Sequence, residues 1–107
     1  MRFVLMALAC EGEPTALDAY EQELVRAGVL LAAEPLEPVG SGARIRFDGD
    51  DRILIRIPSG VQAADDAVTA IWMLHTAGED EALEWARRLP LTSGTVEVRR
   101  VAGDANR

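Results

Sequence analysis

A chain of 107 residues, 49% of them apolar and carrying a net charge of −7, is one domain in length and too hydrophobic to remain disordered. The acidic balance disfavours nucleic acid and anionic membrane surfaces, because both are held by basic groups. No apolar run reaches the length needed to span a bilayer. A lone cysteine, Cys10, rules out an intrachain disulfide or a multi-cysteine metal site and suits a reducing cytosol.

The first element is predicted as a strand over 2–9. Phe3, Leu5 and Ala7 share one face and Val4, Met6 and Leu8 the other, so both faces want burial and the strand belongs in the middle of a sheet. The run ends in Cys10-Glu11-Gly12-Glu13-Pro14, with no small-residue cleavage site, so a buried strand explains it better than a leader. A helix is expected to start at Thr15, with Asp18 completing an approximate capping box. Leu17, Tyr20, Leu24 and Ala27 form its apolar stripe, and Gly28 ends it.

Val29–Ala33 reads as a short strand closed by Pro35 and Pro38. Ala43–Phe47 and Arg52–Ile57 flank an Asp-Gly turn, a strong hairpin signal. Alternation places Arg44, Arg46, Arg52 and Arg56 on one face of that hairpin. The stretch 58–66 shows no regular pattern. Val68–Thr76 is a second strand apolar on both faces, with Ala70, Trp72 and Leu74 set against Ile71 and Met73. Glu79-Asp80-Glu81 opens a second helix, favourably placed against the helix dipole. Ala82, Trp85, Ala86 and Leu89 line one of its sides, and Pro90 stops it. Thr95–Val101 is the last strand. The domain therefore covers 1–101, followed by a polar, frayed tail over 102–107.

Two helices over one largely antiparallel sheet give an α+β, ferredoxin-like fold with an added hairpin. Both helices then pack on one side of the sheet, leaving the other side bare. Central strands that are apolar on both faces would make that side a large exposed patch, which soluble monomers seldom carry. A homodimer through the open sheet face resolves the conflict.

Several segments together resemble the YCII-related proteins, in the branch called the DGPF-domain family. They are Met1–Leu8; Glu23 to Leu31 followed by Glu34-Pro35-Leu36; Asp80 to Pro90, with the core Ala82-Leu83-Glu84-Trp85-Ala86; and Gly94-Thr95-Val96-Glu97-Val98-Arg99. The resemblance implies a dimeric α/β barrel and, since that branch is often encoded beside extracytoplasmic-function sigma factors, a link to regulation. The chain departs from the family where its signature should stand. Pro58-Ser59-Gly60-Val61 replaces the Asp-Gly-Pro-Phe segment, and its aspartate is missing. Gln62-Ala63-Ala64-Asp65-Asp66 follows, and Thr69-Ala70 stands where relatives carry paired glycines. The first helix lacks the histidine that some YCII-related proteins pair with an aspartate, so no catalytic residue carries over.

The residues themselves offer a short set of candidates. His75, the only histidine, ends a central strand and is the candidate general base, against a structural role. Cys10 lies beside Glu11 and Glu13, which disfavour a thiolate, so it reads as a small buried hydrophobe. Asp48, Asp50, Asp51, Asp65 and Asp66 fit no metal-loop spacing, and turn chemistry accounts for them; no metal and no cofactor is expected. Arg44, Arg46 and Arg56 are candidate clamps for an anionic ligand, or partners for nearby acids. Trp72 and Tyr20 are candidate walls of an apolar pocket, or core. The expectation is a non-catalytic or degenerate small-molecule or partner-binding module. The alternative is a proton-transferring enzyme of lyase or isomerase type with His75 as its base.

Overall fold

The computed structural model describes residues 1–58 and 67–103. Ser59-Gly60-Val61 of the altered signature segment, Gln62 to Asp66 and the tail from Asp104 lie outside these described residues. In chain order the elements are β1 (Arg2–Gly12), α1 (Pro14–Arg26), β2 (Leu30–Pro35), a short 3-10 turn (Val39–Ser41), β3 (Ala43–Asp48), β4 (Asp51–Arg56), β5 (Val68–His75), α2 (Glu79–Arg87) and β6 (Leu91–Arg100).

Four strands form one sheet in the order β2-β5-β1-β6, antiparallel at every step. This mixed α+β arrangement is compatible with a ferredoxin-like fold. β1 and β5 occupy the middle, as their two apolar faces require. Phe3, Leu5 and Ala7 of β1 and Trp72 and Leu74 of β5 are buried beneath the helices. Tyr20 and Leu24 of α1 and Ala82 of α2 close that core from above. The opposite side of the sheet carries Val4, Met6, Leu8, Ile71 and Met73. These are only half-buried.

The two helices are joined by one cluster. The Tyr20 hydroxyl donates a 2.6 Å hydrogen bond to the Trp85 carbonyl, and the two rings meet edge to face at 6.2 Å. The Arg88 guanidinium lies 4.3 Å from the centre of the Trp85 ring and pairs with Glu23 at 2.6 Å. Burial pushes the Tyr20 phenol well above its ordinary pKa; Arg88 opposes that shift, while Glu23 and Glu21 add to it.

Local details differ from expectation at three places. The capping box of Thr15 and Asp18 does not form. α1 begins at Pro14, with Glu13 as N-cap and no side-chain cap bond, because proline's fixed φ starts a helix where no N–H partner is needed. Ala27 is the C-cap of α1 and is exposed rather than part of the buried stripe, and Gly28 follows at φ +73° as the left-handed terminator. The hairpin arginines do not share one face. The loop between β3 and β4 has two residues, Gly49 and Asp50, with a positive φ at Gly49 alone, the type II′ sign pattern. Asp48 therefore sits opposite Asp51, and every even-numbered residue sits opposite an odd-numbered one. Arg44 and Arg46 share a face with Ile55 and Ile53, whereas Arg52 and Arg56 lie on the other face with Ile45, Phe47 and Leu54.

Candidate functional site

β1 does not run straight to its end. Its register shifts between Ala7 and Leu8 against β5, and again between Leu8 and Gly12 against β6. At the centre of this irregularity Ala9 has φ +50°, a left-handed conformation that an alanine adopts only when its surroundings impose it. The surroundings are specific. Gly94 of β6, itself at φ +93°, packs so closely that a Cβ placed there would come within 2.7 Å of the Ala9 carbonyl oxygen and of Cys10. Where the ladder opens, the Thr69 hydroxyl takes its place. It donates to the Ala7 carbonyl at 3.3 Å and accepts the Cys10 N–H at 3.4 Å.

Beyond the bulge β1 leaves β5 but stays paired with β6 as far as Gly12, and a cleft of about 480 Å³ lies beside it between the sheet and α1. Ala7, Ala70 and Trp72 form its floor, Leu17 of α1 and Leu91 of β6 its sides, and Cys10, Glu11 and Thr69 its polar groups. Trp72 is 3% exposed. Its indole Nε1 donates a 2.9 Å hydrogen bond to Oε1 of Glu21 on α1, which fixes the ring and satisfies its only polar atom. A smaller cleft of about 220 Å³ lies on the α2 side, lined by Ala86, Leu89 and Gly94, and Cys10 borders both. The Cys10 thiol is directed to the Thr95 carbonyl at 3.2 Å.

Of the sequence candidates, the structure brings Trp72 and Cys10 into this cleft and leaves the others outside it. His75 stands at the far end of β5, exposed, with Nε2 3.5 Å from the Met1 ammonium nitrogen. No carboxylate among the described residues hydrogen-bonds to its ring. Proton transfer within the cleft would therefore have to use Glu11 or Cys10. Arg44, Arg46 and Arg56 sit on the hairpin and line no part of the cleft. Tyr20 is spent on the junction between the helices. Among the described residues, no three His, Cys, Asp or Glu side chains gather as a metal site; Asp65 and Asp66 fall outside them.

Glu21, Thr69 and Gly94 are the residues that sequence reasoning passed over. Glu21 had a signal. With Leu17, Tyr20 and Leu24 it completes an i, i+3, i+4, i+7 stripe, and a carboxylate on the apolar face of a helix calls for a donor beneath it. Thr69 and Gly94 had none, because their roles depend on the neighbouring strand. No helix among the described residues is long and apolar enough to cross a membrane. In comparison with known proteins, the chain matches no family model and no curated protein.

Proposed function

We propose that the chain is a small-molecule-binding protein that works as a homodimer through its open sheet face, without a catalytic centre of its own. The cleft beside Trp72 carries this reading. Its volume of about 480 Å³ falls in the range of small-ligand sites, about 300–1,000 Å³. Its walls are largely apolar, with Thr69 and Glu11 set to orient a polar end of the ligand. A ring clamped by a hydrogen bond and buried in the core is a preformed wall, which lowers the ordering cost of binding. The half-buried apolar face of β1 and β5 supports the homodimer. The resemblance to the YCII-related, DGPF-like proteins would make that pair a dimeric α/β barrel in the cytoplasm, and it extends the reading to regulation beside a sigma factor by analogy alone.

A thermal-shift screen over common metabolites tests the cleft, since a ligand that binds the native state raises Tm. Hits are expected to stabilise the wild type and not Ala70→Phe, which fills the floor of the cleft. A screen without hits, or hits that stabilise both proteins equally, would refute the cleft as the binding site.

A further inference from the structure

Among the described residues, the β3–β4 hairpin takes no part in the buried core. Both strands are six residues long, and all their residues but Ile53 are exposed. Ile45, Leu54 and Phe47 lie together on one face, at 57%, 57% and 68% exposure. A lone two-stranded hairpin is marginal in water, and an apolar face of this kind on a monomer marks a contact surface. The hairpin does not fold back over the domain. The molecule measures 43 × 37 × 18 Å, and its thinnest dimension is about that of one helix layer on one sheet. Its radius of gyration of 15.8 Å exceeds the roughly 13 Å expected for a chain of this length. The hairpin thus projects in the plane of the sheet.

A second apolar surface, the half-buried open face around Met6, Ile71 and Met73, is covered by no helix among the described residues. The two surfaces cannot meet within one copy, because the hairpin extends past the sheet rather than beneath it. They can meet between two copies related by a two-fold axis, where each contact is made twice. Dimensions allow it: six-residue strands reach about 20 Å, and four paired strands span about 15 Å. Charge favours it as well. Residues 43–56 carry four arginines and three aspartates, one positive charge in excess, which leaves eight negative charges on the rest of a chain of net −7. Arg52 and Arg56, which share the face of Ile45, Phe47 and Leu54, have no ion pair among the described residues, and exposed Glu34, which pairs in register with Ile71 on the open face, has none either.

We propose that the hairpin is a dimerisation arm, whose Ile45–Phe47–Leu54 face seats on the Met6–Ile71–Met73 face of a second copy, with Arg52 and Arg56 of the same hairpin face beside that copy's Glu34. The arm rests on the homodimer reading above and specifies how the pair is held. Two measurements test it. Sedimentation velocity compares the wild type with the double variant Phe47→Glu/Leu54→Glu, both checked for folding by circular dichroism. Oxidation of an equimolar mixture of L54C and M73C chains, each also carrying C10S, probes the seat. The arm predicts a wild-type dimer, dimerisation weakened about a hundredfold in the double variant, and an intermolecular disulfide between L54C and M73C. A wild-type dimer that the double variant matches, or that gives no such disulfide, overturns the arm and leaves the homodimer standing. A monomeric wild type at micromolar concentration overturns both.

Discussion

Trp72 and Glu21 are tied across the layer between helix and sheet by a single hydrogen bond of 2.9 Å. The bond sets the wall of the cleft and also occupies a carboxylate that would otherwise sit half-buried without a donor. Removing the acceptor leaves a buried indole N–H unpaired, at a cost of about 1–3 kcal/mol. Glu21→Ala is therefore expected to lower stability by that amount in urea denaturation. Glu21→Gln, which keeps an acceptor oxygen, should recover most of the loss. Equal loss in both variants would mean that the carboxylate charge, not the acceptor, is what matters.

Gly94 and Gly28 both have positive φ, at +93° and +73°, but different surroundings. Nothing lies within 4 Å of a Cβ at Gly28, whereas one at Gly94 meets Ala9 and Cys10 at 2.7 Å. Gly28→Ala should then cost only the backbone term, about 1–2 kcal/mol. Gly94→Ala adds a clash with backbone and should cost about 3 kcal/mol or more. Melting temperatures of the two variants, measured side by side, check the difference.

The phenol of Tyr20, the only tyrosine in the chain, has its pKa raised above the ordinary 10.0, chiefly by burial. A raised folded-state pKa means that the unfolded chain loses this proton first. The stabilisation is fully present below about pH 10 and is lost as pH climbs from there toward the folded value. Stability measured against pH should therefore fall on the alkaline side, together with a late rise in tyrosinate absorbance. Tyr20→Phe should flatten that limb, while costing about 1 kcal/mol at neutral pH for the lost hydrogen bond to Trp85.

Leu24 and Leu54 are the same residue type in opposite situations. Leu24 is fully buried at 0% exposure and Leu54 is 57% exposed. Leu24→Ala should cost about 2–5 kcal/mol at any protein concentration. Leu54→Ala should fall within about 0.5 kcal/mol of the wild type in dilute solution. If the arm is correct, its cost should grow as concentration rises, because only the dimer buries that side chain. Chemical denaturation at two concentrations separates the cases.

Much of this architecture can be read from local pattern. The two-sided apolar runs at Phe3–Leu8 and Ala70–Leu74 place β1 and β5 at the centre of the sheet. The stripes at Tyr20 and Leu24 and at Ala82 identify the buried sides of the helices, and the Asp-Gly pair marks the hairpin. These features are encoded within one turn or one strand. What escaped prediction depends on two segments at once. The split of the arginines between two faces follows from the pairing of Asp48 with Asp51, which alternation within either strand does not reveal. The left-handed Ala9 requires Gly94, a residue 85 positions away in sequence. The cleft lies beside that irregularity, whose long-range origin no local pattern shows. His75 looked like the mouth of a site because it ends a central strand, but the opening lies at the other end of that strand.

The bulge at Ala9 also decides where the chain's only sulfhydryl goes. Strict alternation from Ala7 would turn Cys10 onto the same side as Leu8, the bare side of the sheet. The extra residue rotates it toward the helices instead, where it borders two clefts. Two copies meeting through their bare sides would then hold their thiols apart, each behind its own sheet. Such a pair could not be locked by oxidation, and its exchange with free protomers would stay insensitive to redox conditions.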